Sequence, residues 1–128
     1  MTDEDARHQD VVDATANTEA NMHTQTVPIN MFEASGALVV VAPLPAVTPR
    51  DVTVELRGTR LRFWAHVRSA APRDYLVHEW EYGGYERAVD IPSGYGQQVE
   101  ASLGSGQLAI RVLKGEPPDT TISVTPAG

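Results

Sequence analysis

From Val52 onward, apolar residues recur at every second position. Val52, Val54 and Leu56 alternate with Thr53, Glu55 and Arg57; after Gly58 and Thr59, Leu61, Phe63, Ala65 and Val67 alternate with Arg60, Arg62, Trp64 and His66. Successive side chains of an extended strand point to opposite faces, so this period buries one face and wets the other, and an amphipathic helix cannot use it. The break at Gly58 and Thr59 predicts a hairpin. The rhythm returns in Tyr85, Arg87, Val89 and Ile91, in Val99, Ala101 and Leu103, and in Leu108, Ile110 and Val112. Ala37–Ala42 (ALVVVA) is instead a continuous apolar run stopped by Pro43 and Pro45, the pattern of a strand buried on both faces. No segment sustains a period of three to four. Six or seven short strands punctuated by Gly or Pro predict an all-β fold, an immunoglobulin-like antiparallel β-sandwich spanning residues 27–114.

A chain of 128 residues with 41% hydrophobic content can bury one core. The sandwich therefore carries two tails. Residues 1–26 hold Asp3, Glu4, Asp5, Asp10, Asp13 and Glu19 against Arg7 alone, and no Phe, Tyr or Trp. Such an arm cannot bury enough apolar surface to offset the entropy of ordering, so it is expected to be disordered, with a short helix over 10–16 as the alternative. At the other end, residues 115–128 form an extension in which the proline-stiffened GEPPDTT releases a short apolar patch, Ile122-Ser123-Val124, before TPAG. The net charge of −7 repels phosphate backbones and anionic lipid surfaces. Partners are thus expected to be proteins, not nucleic acid or membrane. No apolar run approaches the ~20 residues of a membrane span, the start MTDEDARHQD is unlike a secretion signal, and there is no cysteine, which together suit the cytoplasm.

Residues that carry chemistry are scarce. Gly104 and Gly106, in ASLGSGQLAI, lie between two alternating strands and have no following helix or lysine, so they read as turn residues and not as a phosphate cradle. His66 and His78 lack the companions of a metal site. Trp64 and Trp80 suit covering side chains better than ligand platforms. Asp90 and Glu100 show no acid/base pairing, and no Ser, His and Asp arrangement marks a nucleophile, so neither an enzyme nor a cofactor is expected. Arg87 falls on an inward-phased position and needs a carboxylate or carbonyl, either within its own chain or across a dimer interface.

Several segments together resemble one family. Ala101, three residues, then Ser105-Gly106-Gln107-Leu108 is similar to the A-x-x-x-n-G-x-L signature of the small heat-shock proteins, which carry the alpha-crystallin domain. Ala42–Leu56 (APLPAVTPRDVTVEL), RLRFWAH, His78–Pro92 (HEWEYGGYERAVDIP) and the terminal Ile122-Ser123-Val124 resemble further family segments in the same order. The family's usual Asp and Gly around the Leu-Pro pair are Ala42 and Ala46 here, Tyr85 stands for Phe, and the arm is short and lacks aromatic residues. The resemblance implies an ATP-independent chaperone, a holdase that binds the exposed apolar surface of unfolding proteins. It implies a homodimer in which Asp74–Trp80 crosses to a neighbour from within the loop Arg68–Gly84, with Tyr75, Leu76, Val77, His78, Trp80 and Arg87 at the interface. It also implies higher oligomers, built when Ile122 and Val124 enter a groove on an adjacent subunit walled by Val52, Val54, Val99 and Ala101. The aromatic-free arm suits a second reading, a sandwich adaptor for one specific protein partner.

Overall fold

A computed structural model of the protein describes residues 25–66, 74–77, 79 and 84–128. The described residues form nine strands: β1 Gln25–Thr26, β2 Asn30–Ala34, β3 Ala37–Pro43, β4 Val52–Arg57, β5 Arg60–Ala65, β6 Tyr85–Asp90, β7 Tyr95–Gly104, β8 Gln107–Lys114 and β9 Ile122–Val124. They build two sheets, ordered β1-β6-β5-β4-β9 and β2-β3-β8-β7. Every pairing is antiparallel except β1 with β6. The expected antiparallel sandwich is what forms. The acidic arm up to residue 24, with the alternative helix over 10–16, and Val67 lie outside the described residues. Gln25 and Thr26, at the end of that arm, pair with Tyr85 and Glu86.

The alternation dictates the core. Val52, Val54 and Leu56 of β4 and Leu61, Phe63 and Ala65 of β5 face inward and are fully buried, and Leu108, Ile110 and Val112 of β8 meet them from the second sheet. Each such side chain contributes about 1.5–3 kcal/mol by leaving water. The run Ala37–Ala42 departs from its expectation of burial on both faces: Leu38, Val40 and Ala42 are buried, whereas Val39 and Val41 are only half-buried. With two layers, the four-stranded sheet has nothing stacked on its outer face, so one side of even an all-apolar strand meets solvent.

Polar groups close the ends of the sandwich. The Asp51 carboxylate accepts the Thr48 N–H at 3.0 Å and the Thr48 hydroxyl at 2.7 Å, and this tightens the 3-10 turn Pro49–Asp51 that delivers the chain into β4. The Tyr85 hydroxyl donates to the Pro45 carbonyl at 3.1 Å, and the Tyr95 hydroxyl donates to Glu33 Oε1 at 2.6 Å. Burial raises the Tyr85 phenol above its ordinary value. For Tyr95 the bond to Glu33 raises it first, with burial and the carboxylate's charge adding in the same direction. On the outer face of the first sheet, Arg62 pairs with Glu86 at 3.0 Å and lies 4.4 Å over the half-buried Trp64 ring.

Candidate functional site

The edge strand β4 is flanked by a segment that comes from far along the chain. β9 pairs antiparallel with it, Leu56 opposite Ile122, Glu55 opposite Ser123 and Val54 opposite Val124. Directly paired residues share a face, so Ile122 and Val124 point inward with Val54 and Leu56 and pack half-buried against the core, while Ser123 stays exposed. β9 also contacts β7 of the other sheet, which makes the place it fills a groove between the two layers. Of the walls anticipated from sequence, Val52, Val54 and Val99 are buried and Ala101 is half-buried against the core. Leu56 is a wall that the sequence reading left out, although its position in the Val52, Val54, Leu56 alternation carried the signal. The motif seats on the groove of its own chain.

Beyond β9 the chain continues to the second sheet. Ala127 makes a parallel bridge to Ser102, its N–H donating to the Ala101 carbonyl at 3.0 Å and its carbonyl accepting the Leu103 N–H at 2.8 Å. Pro126, between these anchors, is buried.

Large hydrophobic side chains are exposed on two further segments. β2 forms the outer edge of the four-stranded sheet, and its Phe32 is 49% exposed. Within the loop anticipated to cross to a neighbour, Leu76 is 102% and Val77 71% exposed, and Tyr75 also reaches solvent. His78 and Trp80 lie outside the described residues. Arg87 donates from Nη1 to the Val27 carbonyl at 3.1 Å, so a carbonyl of its own chain satisfies it. The turn also differs from its expectation. Gly104 is the last residue of β7, paired with Gln107, and the two-residue loop is Ser105 and Gly106, both with positive φ (52° and 74°). That geometry matches the twist of the flanking strands, and the register leaves Gly104 on the strand side of it.

Among the described residues no group of three or more His, Cys, Asp or Glu could hold a metal ion, and no helix is long and apolar enough to cross a membrane.

The sequence model of the Hsp20/alpha crystallin family matches residues 30–125, well over half of the chain. No curated protein matches the sequence at a significant level. Among solved structures, hspA from Xanthomonas axonopodis is similar with a TM-score of 0.63 and 21% identity, over 71% of the present chain and 95% of that one. A small heat-shock protein from Xylella fastidiosa gives 0.63 and 21%, over 74% and 91% of the two chains. Heat shock protein 16.0 from Schizosaccharomyces pombe gives 0.62 and 22%, over 77% and 73%.

Proposed function

The chain belongs to the Hsp20/alpha-crystallin family, and from that premise we propose that it is a holdase, a chaperone that binds the exposed apolar surface of unfolding proteins and limits their aggregation without ATP. The observation that carries this reading is the groove between β4 and β7, whose apolar walls are covered by a three-residue strand at the end of a linker. Such a segment can leave without unfolding the domain. An unfolding client then buries its own apolar residues on the same walls, and the driving force is removal of surface from water, which needs no cofactor.

The working unit in this proposal is a homodimer. Tyr75, Leu76 and Val77, with His78 and Trp80 in the same segment, cross to a neighbour and pair on its β2 edge, where Phe32 stands exposed. An unpaired strand edge is a template for such an addition. Dimers then exchange with modest higher oligomers when a tail docks on another subunit.

Light scattering of two unrelated heat-labile proteins, warmed without ATP, tests the function. Suppression of both supports the holdase. Inactivity towards both, beside tight binding of a single partner, replaces it with the adaptor reading.

A further inference from the structure

We propose that a pocket on the outer face of the four-stranded sheet, where the turn between β7 and β8 meets the start of β2, binds an uncharged peptide segment through one large apolar side chain and the main-chain groups beside it. The site is separate from the groove between β4 and β7, and it stands whether or not that groove holds clients. Three features carry it.

The first is how the pocket is built. It is a cavity of about 340 Å³ lined by Val41 and Pro43 of β3, Asn30 of β2 and Gln107 of β8, together with Pro28 and Ser105. Asn30 stands opposite Val41 and Gln107 opposite Pro43, so all four share the outer face. β3 lies between β2 and β8, which makes Val41 and Pro43 an apolar floor with an amide side chain on either flank, carried by strands roughly 10 Å apart. The volume falls at the small end of the roughly 300–1,000 Å³ spanned by ligand pockets. One wall is the turn itself, fixed by the Leu44 N–H, which donates to the Gly106 carbonyl at 2.8 Å. A ligand therefore meets a formed site and loses little to ordering it.

The second is the chemistry of the lining. No charged residue lines the pocket, so a charged ligand group would shed water there without gaining a partner. The floor favours an apolar group. The Asn30 and Gln107 side chains make no hydrogen bond to the described residues, and each offers both a donor and an acceptor, the pair that a peptide group presents in return. A polyol would satisfy the amides and leave the floor unused, and a hydrocarbon would do the reverse. A peptide segment uses both.

The third is strain. Ser105 lines the pocket with φ at 52°, a conformation that glycine adopts without cost. Strain of this kind at the rim of a cavity is accounted for when the side chain serves the site, and the serine hydroxyl supplies a third uncharged polar group there.

The test is an NMR titration of the isotope-labelled full-length chain with the blocked neutral peptide N-acetyl-Gly-Phe-Gly-amide, with glucose as the polyol control. Saturable shifts are expected at the side-chain amides of Asn30 and Gln107 and at the Gly106 N–H, and glucose should produce none. Asn30→Ala and Gln107→Ala should each weaken peptide binding about two- to tenfold, the worth of one neutral hydrogen bond. Ser105→Gly should weaken it by a similar factor while its denaturant midpoint rises, and a role confined to the turn cannot move the two in opposite directions. Shifts that are absent, or centred on β4 and β9, would overturn the proposal. So would equal affinity for glucose, which would make this a polyol site, and so would unchanged peptide affinity in Ser105→Gly or in both amide variants. No unfolding protein is present, so this outcome and that of the aggregation assay are independent.

Discussion

Ser105 sits at φ 52°, a left-handed conformation that costs an ordinary L-residue about 1–2 kcal/mol, and Gly106 beside it sits at 74°. Ser105→Gly, and to a smaller degree Ser105→Asn, should raise stability by up to about 1 kcal/mol, whereas Gly106→Ala should lower it by about 1 kcal/mol; denaturant melts check both. The sequence pointed to this turn but not to its register. Two glycines two apart mark a break between strands, and only the pairing of Gly104 with Gln107 shows which residues bend. The hydroxyls of Tyr85 and Tyr95 are likewise invisible to a hydrophobic pattern, in which tyrosine counts as apolar bulk. Their phenols are held neutral above the ordinary tyrosine value near 10. A folded pKa raised above the unfolded one gives stability that is complete below about pH 10 and lost as pH rises through the folded value. Alkaline denaturation of the parent should therefore steepen above about pH 10, and Tyr85→Phe and Tyr95→Phe should each flatten that limb. Equal slopes in parent and variants would refute the assignment.

At the level of elements, the strands were legible because period two sets which face is wet, and the core of β4, β5 and β8 follows from it directly. What a pattern cannot contain is pairing between distant segments. The sequence named Val52 and Val54 as walls, yet the register sets Ile122 opposite Leu56 and Val124 opposite Val54. Nor can one sequence say whether the groove filled is a chain's own or a neighbour's. Docking Ile122 and Val124 removes on the order of 200 Å² of apolar surface, about 5 kcal/mol gross at ~25 cal/mol per Å², before ordering costs reduce it. Replacing both with Gly, or filling the groove with Ala101→Trp, should free the tail while leaving the domain folded. Sedimentation across a concentration series should then show dimers only, where the parent adds larger species as concentration rises. The proposed dimer rests on the loop, so deleting residues 74–80 should yield folded monomers by light scattering. A deletion variant that remains dimeric would place the interface elsewhere.

For the whole molecule, the uneven charge matters more than its total. The formal −7 comes mostly from residues 1–26, which leaves the sandwich close to balanced, with Arg60–Asp90 and Arg62–Glu86 crossing the outer face of the five-stranded sheet and Arg111–Glu100 that of the four-stranded one. Exposed pairs of this kind contribute little to stability. They put charge on both flat faces, and among the described residues the most exposed large hydrophobics are Phe32 on the β2 edge and Leu76 and Val77 in the loop. In the proposed holdase, client capture by the groove and by these side chains would be driven by apolar burial and should resist salt, whereas capture by the acidic arm would fade as ions screen it. The measurement that bears most directly on the account is therefore the suppression of thermal aggregation of two unrelated proteins, followed by light scattering at low and at high salt with no nucleotide present. Suppression of both clients that is undiminished by salt is the predicted result; no suppression, or suppression that disappears at high salt, would contradict it.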